Sequence, residues 1–228
     1  NDTYQKIFFS QPVTINYESD LSFIKYALFA NLNYTTPNKR LSVNLGARAD
    51  GNSYSGYMSN PLNQFSPRLS FSYEFAKDLY LNGAIGRYYQ LPPLTAMGFR
   101  DNSGLLVNND LKYIESNQAA LGVDYRNSEG FQFGVEFFHK LNFNGLYSVR
   151  DSIPVEGKGT NYGVVGNEEI SSQLESKAYG AEFSFRWFVS DKLNLISSIT
   201  ILRSQFKNND GGWTATSWEQ PVETSRNQ

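Results

Sequence analysis

Along residues 41–51, Leu41, Val43, Leu45, Ala47 and Ala49 alternate with Ser42, Asn44, Gly46, Arg48 and Asp50. A period of two predicts a strand whose faces meet different media. The rhythm returns along the chain. In 21–35, Ile24, Tyr26, Leu28, Ala30, Leu32 and Tyr34 share one face, with Lys25, Asn31 and Asn33 on the other beside Phe23, Ala27 and Phe29. Leu69, Phe71, Tyr73 and Phe75 oppose Arg68, Ser70, Ser72 and Glu74, and Leu79, Leu81 and Ile85 oppose Asn82, Ala84 and Gly86. Ala119, Leu121, Val123 and Tyr125 are set against Gln118, Gly122 and Asp124. Phe131, Phe133, Val135 and Phe137 are set against Gln132, Gly134, Glu136 and Lys140. Residues 178–188 are the cleanest case, with Tyr179, Ala181, Phe183, Phe185 and Trp187 against Gly180, Glu182, Ser184 and Arg186. Residues 193–202 are weaker, because Ile196 and Leu202 interrupt the polar face. The pattern predicts an all-β antiparallel meander of about eight strands, each near the roughly 9–11 residues that a tilted membrane strand needs. No helical period competes.

The connections sharpen this picture. Residues 36–40, 76–78, 126–130 and 189–192 are short, whereas 52–65, 90–115, 142–176 and the stretch from 207 onward are long. Short and long alternate along an up-and-down path, so all short turns fall at one end of the sheet. Compact soluble domains rarely carry several loops above about 12–15 residues. Transmembrane barrels have this asymmetry, with short periplasmic turns and long extracellular loops. Alternation alone also fits a soluble antiparallel sandwich or a lipocalin-like barrel. Two further features favour lipid. The apolar face is unbroken through the strand middles, and Tyr34, Tyr125, Tyr179 and Trp187 sit near strand ends like an interfacial girdle. The opposite face carries Arg48, Glu74, Asp124, Glu136, Glu182 and Arg186, which suits a wet lumen.

Composition agrees. A mean hydropathy of -0.46 beside 15% aromatic residues fits a β protein with one continuous polar face. No apolar run approaches the roughly 18 residues of a membrane helix. A net charge of -2 with scattered signs offers no tract for nucleic acid. The absence of cysteine excludes disulfides. The first ten residues lack a basic stretch followed by an apolar run, so no signal peptide is expected in them.

Chain direction places residues 1–20 and the end of the last strand on the long-loop side. The expectation is one partial barrel domain over residues 1–228, an internal fragment of a larger transmembrane β-barrel, with residues 1–20 free to order against an open edge.

Several stretches resemble TonB-dependent outer-membrane receptors, in the C-terminal part of their barrel. They are "FSPRLSFSYEF" (65–75), "LNGAIGRYYQLPPLTAM" (81–97), "NNDLKYIESNQAALGVDY" (108–125) and "SKAYGAEFSFRWF" (176–188). Ala120 stands where the third pattern often has Glu. The four occur in the family's order across residues 65–188. The resemblance implies a barrel of about 22 strands around an N-terminal plug, in the outer membrane of a Gram-negative bacterium. It also implies active import of an iron–siderophore complex, cobalamin, glycan or peptide, powered through TonB. The partners it implies are outer-membrane lipid, the protein's own plug domain (absent from this sequence), TonB through that plug, and the transported ligand. A passive porin and a soluble sugar-binding β-sandwich are the alternatives.

Chemistry candidates are few. His139 is the only histidine and has no partner for a metal site or triad, so a rim or interfacial place is expected. "GKGTNYG" (157–163) lacks the helix and Gly-Lys-Ser/Thr of a phosphate loop. Glu168–Glu169 and Asp101–Asn102 offer cation-binding oxygens but read as solvated loop residues. No catalytic set, cofactor or metal site is expected. Ligand contacts are placed on the long loops, at Tyr89, Phe99, Arg100, Asp101, Tyr113, Trp213 and Trp218, where aromatics and polar groups can hold a bulky solute. The same aromatics also suit packing of the loops against one another.

Overall fold

The computed structural model describes residues 2–8, 11–17, 19–128, 130–155, 167–190, 193–208 and 211–215. Strands β1 (Asp2–Phe8) and β2 (Gln11–Tyr17) pair only with each other. Eight long strands follow: β3 (Lys25–Thr35), β4 (Leu41–Asn52), β5 (Phe65–Ala76), β6 (Leu79–Gln90), β7 (Ile114–Arg126), β8 (Phe131–Ser148), β10 (Ile170–Ser190) and β11 (Leu193–Lys207). Short strands β9 (Ile153–Pro154) and β12 (Trp213–Ala215) flank β8 and β11. Every pairing is antiparallel and the path runs up and down from β3 to β12. The eight strands read from sequence are these eight.

The short connections are built by turn chemistry. In the 36–40 turn the Lys39 N–H donates to Thr36 O at 2.8 Å, and the Thr36 hydroxyl donates to Asn38 Oδ1 at 2.7 Å. Between β5 and β6, Asp78 takes a left-handed φ of 62°, which Asp tolerates better than most residues.

Register turns the alternation into rows across the sheet. One row reads Leu32, Leu45, Leu69, Ile85, Ala119, His139, Tyr179 and Arg203. The next, toward the short turns, reads Tyr34, Val43, Phe71, Gly83, Leu121, Phe137, Ala181 and Ile201. Two residues advance about 6.8 Å along a strand, so the four row steps from His139 to Phe131 span roughly 19 Å of height at a 45° tilt. That approaches the ~25 Å apolar band of outer-membrane barrels. These side chains stay open rather than forming a core: Leu28 is 78% exposed, Ile85 60% and Phe137 62%. At the short-turn end the band closes on packed rings, with Phe131 centred 6.0 Å from Tyr125, 5.5 Å from Phe185 and 6.4 Å from Trp187.

β8 and β10 outrun the band, at 18 and 21 residues. Their far ends, with bulges near Ser172 and Leu174, rise on the long-loop side. On the polar face Gly122 lies opposite Glu136. A Cβ there would stand 2.8 Å from Val135 O and 3.1 Å from Glu136 Cα. Backbone of a paired strand cannot yield. Gly122→Ala is therefore expected to destabilise the sheet by about 1–3 kcal/mol, read as a lower denaturant midpoint; an unchanged midpoint would show that β7 and β8 have slack here.

Candidate functional site

The long loops are not loose. Met58, Ala96, Met97, Leu111, Tyr113, Leu146, Val155 and Ile170 are buried together, with Tyr54, Tyr89 and Leu91 packed against them. These residues come from three successive long connections and the adjoining strand ends. A 3-10 turn, Pro61–Gln64, and a single helical turn, α1 (Leu94–Met97), shape two of the loops. The cap on the first is Asn60, whose side chain accepts from Leu62 N at 3.1 Å.

Three polar side chains weld this cap. Asn108 is 1% exposed; its Nδ2 donates to Ala96 O at 2.7 Å and Glu168 O at 2.8 Å, and its Oδ1 accepts from Ile170 N at 3.0 Å. Asn52, at the end of β4, donates to the Tyr113 hydroxyl at 3.0 Å and accepts from Tyr54 N at 2.9 Å. The Tyr54 hydroxyl lies 2.7 Å from Met97 O and 2.5 Å from Asn108 O. Buried polar atoms satisfied this fully favour one loop arrangement. Asn52 and Tyr54 do not stand out in the sequence, because isolated Asn and Tyr in a polar loop carry no periodic signal; Asn108 does so only as the first residue of the family-like stretch 108–125.

The residues expected to meet a ligand separate into groups. Tyr113 is 4% exposed and burial pushes its phenol above the ordinary range; it is part of the cap's interior. Tyr89 is half-buried against the cap and donates to Glu115 Oε2 at 3.0 Å. Phe99, Arg100 and Asp101 lie together on the 91–113 loop. The Arg100 guanidinium donates to Gly104 O at 2.9 Å and, more weakly, to Asp20 O at 3.4 Å. Asp101 Oδ1 accepts from the Ser103 hydroxyl at 2.6 Å, Ser103 N at 2.9 Å and Leu105 N at 3.0 Å. The Ser103 hydroxyl above all, then these N–H groups, hold the exposed Asp101 carboxyl below the usual carboxylate range. Trp213 stands apart on β12, its ring 4.0 Å from Lys177 Nζ. Trp218 and the 157–163 stretch lie outside the described residues.

The polar face carries the second group. Register puts Arg48, Asp124, Glu136, Glu182 and Arg186 on one side of the sheet. Glu74 pairs with Tyr80, which is opposite Asp124, and so shares that side. Arg48 grips Asp50 through two 2.7 Å bonds. Asp124 accepts from Asn82 Nδ2 at 2.7 Å and pairs with Arg126 at 2.5 Å. Glu136 and Glu182 face each other across β8 and β10. His139 is on the other, apolar face, stacked 6.1 Å from Tyr179. Glu168 accepts from the Ser148 hydroxyl at 2.6 Å and pairs with Arg150 at 3.4 Å. Among the described residues no three metal-ligating side chains gather.

Comparison with known proteins fits this architecture. A family model described as TonB dependent receptor-like, beta-barrel, matches residues 1–227. No curated protein matches. Among solved structures, the siderophore receptor PirA from Pseudomonas aeruginosa is 18% identical with a TM-score of 0.57, over 81% of this chain and 34% of that one. The outer membrane transporter YddB from Escherichia coli is 12% identical with a TM-score of 0.54, over 88% and 26%. The copper transporter OprC is 18% identical with a TM-score of 0.59, over 88% and 31%. The chain thus spans about a third or less of these proteins. An up-and-down sheet with an apolar face, short turns at one end and a built loop cap at the other is what such a barrel requires. The chain belongs to the TonB-dependent receptors of the Gram-negative outer membrane and forms part of their β-barrel.

Proposed function

We propose that this chain is barrel wall and extracellular cap of an active importer, which takes a scarce, bulky ligand such as an iron–siderophore complex, cobalamin, a glycan or a peptide across the outer membrane. The observation that carries the reading is the welded cap. A passive pore gains little from a hydrogen-bonded core in its loops, whereas a high-affinity receptor needs binding groups held in place before the ligand arrives. On this reading Phe99, Arg100 and Asp101, with Tyr89 and Trp213 at the margins, present the first contacts, and Tyr113 positions them from beneath. Trp218 belongs to the same proposed set. The apolar face meets lipid, and Arg48, Glu74, Asp124, Glu136, Glu182 and Arg186 line the lumen. Glu136 and Glu182 make no ion pair among the described residues, and they offer paired charge to a plug domain supplied by the full-length protein, through which TonB acts.

The test is uptake by cells carrying the full-length receptor. Radiolabelled iron–siderophore, cobalamin, glycan and peptide would be offered with TonB intact, with TonB deleted and with an uncoupler. Saturable uptake of one class that stops without TonB is the expected result; uptake indifferent to TonB and to the uncoupler would mean a pore. For the accepted class, Arg100→Ala should raise the half-saturating concentration about tenfold, equivalent to about 1.4 kcal/mol, with the maximal rate unchanged. An unaltered concentration dependence would remove Arg100 from the site.

A further inference from the structure

The polar face is not charged evenly from the cap to the short turns. One row runs from Asn31 on β3 through Arg68, Gly86, Gln118 and Lys140 to Ser204 on β11. Arg68 and Lys140 are its only charges. Neither this row nor the row on either side of it contains Asp or Glu. Arg48, in the row above, is already matched by Asp50 at 2.7 Å. Arg68 and Lys140 form no ion pair among the described residues. Each rests against a ring instead: Arg68 Cζ is 4.5 Å from the centre of Tyr88, and Lys140 Nζ is 5.7 Å from that of Phe138. Gly86 makes room for the first pair, since a Cβ there would stand 3.1 Å from the Tyr88 ring and 3.2 Å from Arg68 Cγ.

A depression of about 390 Å³ opens beside these groups. Tyr88, Gln118 and Lys140 line its upper part, Phe138 its middle, and Glu136 and Glu182 its lower end. Tyr88 belongs to the depression and to the Arg68 stack, so the guanidinium stands at the β6 edge while the ammonium stands on β8. Strands about 4.8 Å apart set Arg68 and Lys140 roughly 14 Å apart at the backbone. Gln118 lies between them; its Nε2 donates to Ser116 Oγ at 3.0 Å, which leaves the second amide N–H for another acceptor.

We infer that the lumen wall just beneath the cap holds a second station for the imported solute, and that this solute carries several carboxylates. The inference rests on the importer reading and narrows its ligand. A cation enclosed in a filled lumen without a counter-charge is costly, so Arg68 and Lys140 need an anion from outside the wall. The Arg68 fork takes a carboxylate through two parallel bonds. Lys140 and Gln118 take another across the gap, and the Tyr88 and Phe138 rings meet the carbon skeleton between. A space left open beside the donors suits a solute that arrives and leaves. Below it Glu136 and Glu182 repel the same anion, so it rests at this height.

The experiment is isothermal titration of the full-length receptor in detergent with benzene-1,3,5-tricarboxylate and with its uncharged triamide. The tricarboxylate should bind at one site and the triamide should not. Arg68→Gln with Lys140→Gln should weaken the tricarboxylate about tenfold, the scale of one hydrogen bond to a charged group. Lys77→Gln, on an exposed turn at the other end of the sheet, should bind as the wild type does. If the double variant does not fold, Lys140→Gln alone should weaken binding about threefold. Equal binding of the two solutes, no binding of the tricarboxylate, or substituted donors that bind like the wild type would overturn the proposal. A plug carboxylate already seated there would show as no binding, together with a lower unfolding midpoint in the double variant. Binding in detergent needs no TonB. Charge-selective binding beside uptake that ignores TonB would keep the station and remove only the importer reading. TonB-dependent uptake by a receptor indifferent to the tricarboxylate would do the reverse.

Discussion

Val43→Arg and Phe183→Arg are each expected to cost the full-length receptor about 2–4 kcal/mol, the range for a cation on the lipid face near the middle of a bilayer. Register gives the reason. Val43 lies between Tyr34 on β3 and Phe71 on β5, and the Phe71 ring leans across the gap left by Gly83. Phe183 lies between Val135 and Ile199. Apart from the hydroxyls of Tyr34 and Tyr73, the two rows offer a guanidinium only apolar side chains. The adjoining positions give the control. Asn44 donates to Asn33 and faces the other way, so Asn44→Arg loses one exposed bond, worth about 1 kcal/mol. Ser184 lies between Gly134 and Ser198 on the same polar side, and Ser184→Arg should be similarly mild. Urea unfolding from vesicles reads all four. Equal costs on both faces would mean that neither meets lipid.

The legible part of this molecule was the part that repeats. Strand position, face and order follow from alternation, and the loop asymmetry follows from counting between strands. The extensions of β8 and β10 look like loop in the sequence because "LNFNGLYS" and "ISSQLESK" lose the apolar alternation once they rise above the band. The β1–β2 hairpin is not evident in the pattern either, which places residues 1–20 only on the long-loop side, with an open edge as one place to order. The cap was illegible for a different reason. Met58, Met97, Leu111, Leu146 and Ile170 are isolated apolar residues, each far in sequence from the others. Their burial comes from contacts that no local period records. Tyr113 shows the consequence: its residue type and loop position suit a ligand contact, while only the fold places it beneath Asn52.

Asn108→Ala is expected to release the cap, at a cost of about 3 kcal/mol, since it takes the side-chain partner from Glu168 O and Ile170 N and leaves Ala96 O with only the Phe99 N–H at 3.4 Å, each lost partner costing about 1–3 kcal/mol before water enters. The loss is local in kind. Asn108 ties the 91–113 loop, through Ala96 O, to Glu168 O and Ile170 N across the next long connection. None of these atoms belongs to the band that meets lipid on the proposed reading. Hydrogen exchange should therefore quicken at Ile170 and around α1, and protease should cut within 91–113, while urea unfolding of the barrel keeps its midpoint. Asn108→Asp separates hydrogen bonding from size. It keeps the volume and the acceptor for Ile170 N but sets a carboxylate against the carbonyls of Ala96 and Glu168, which repel it. Protection should be lost in this variant too. If Asn108→Asp instead holds the loops as the wild type does, packing of Met97 and Leu111 sustains the cap, and the hydrogen-bond hub is incidental.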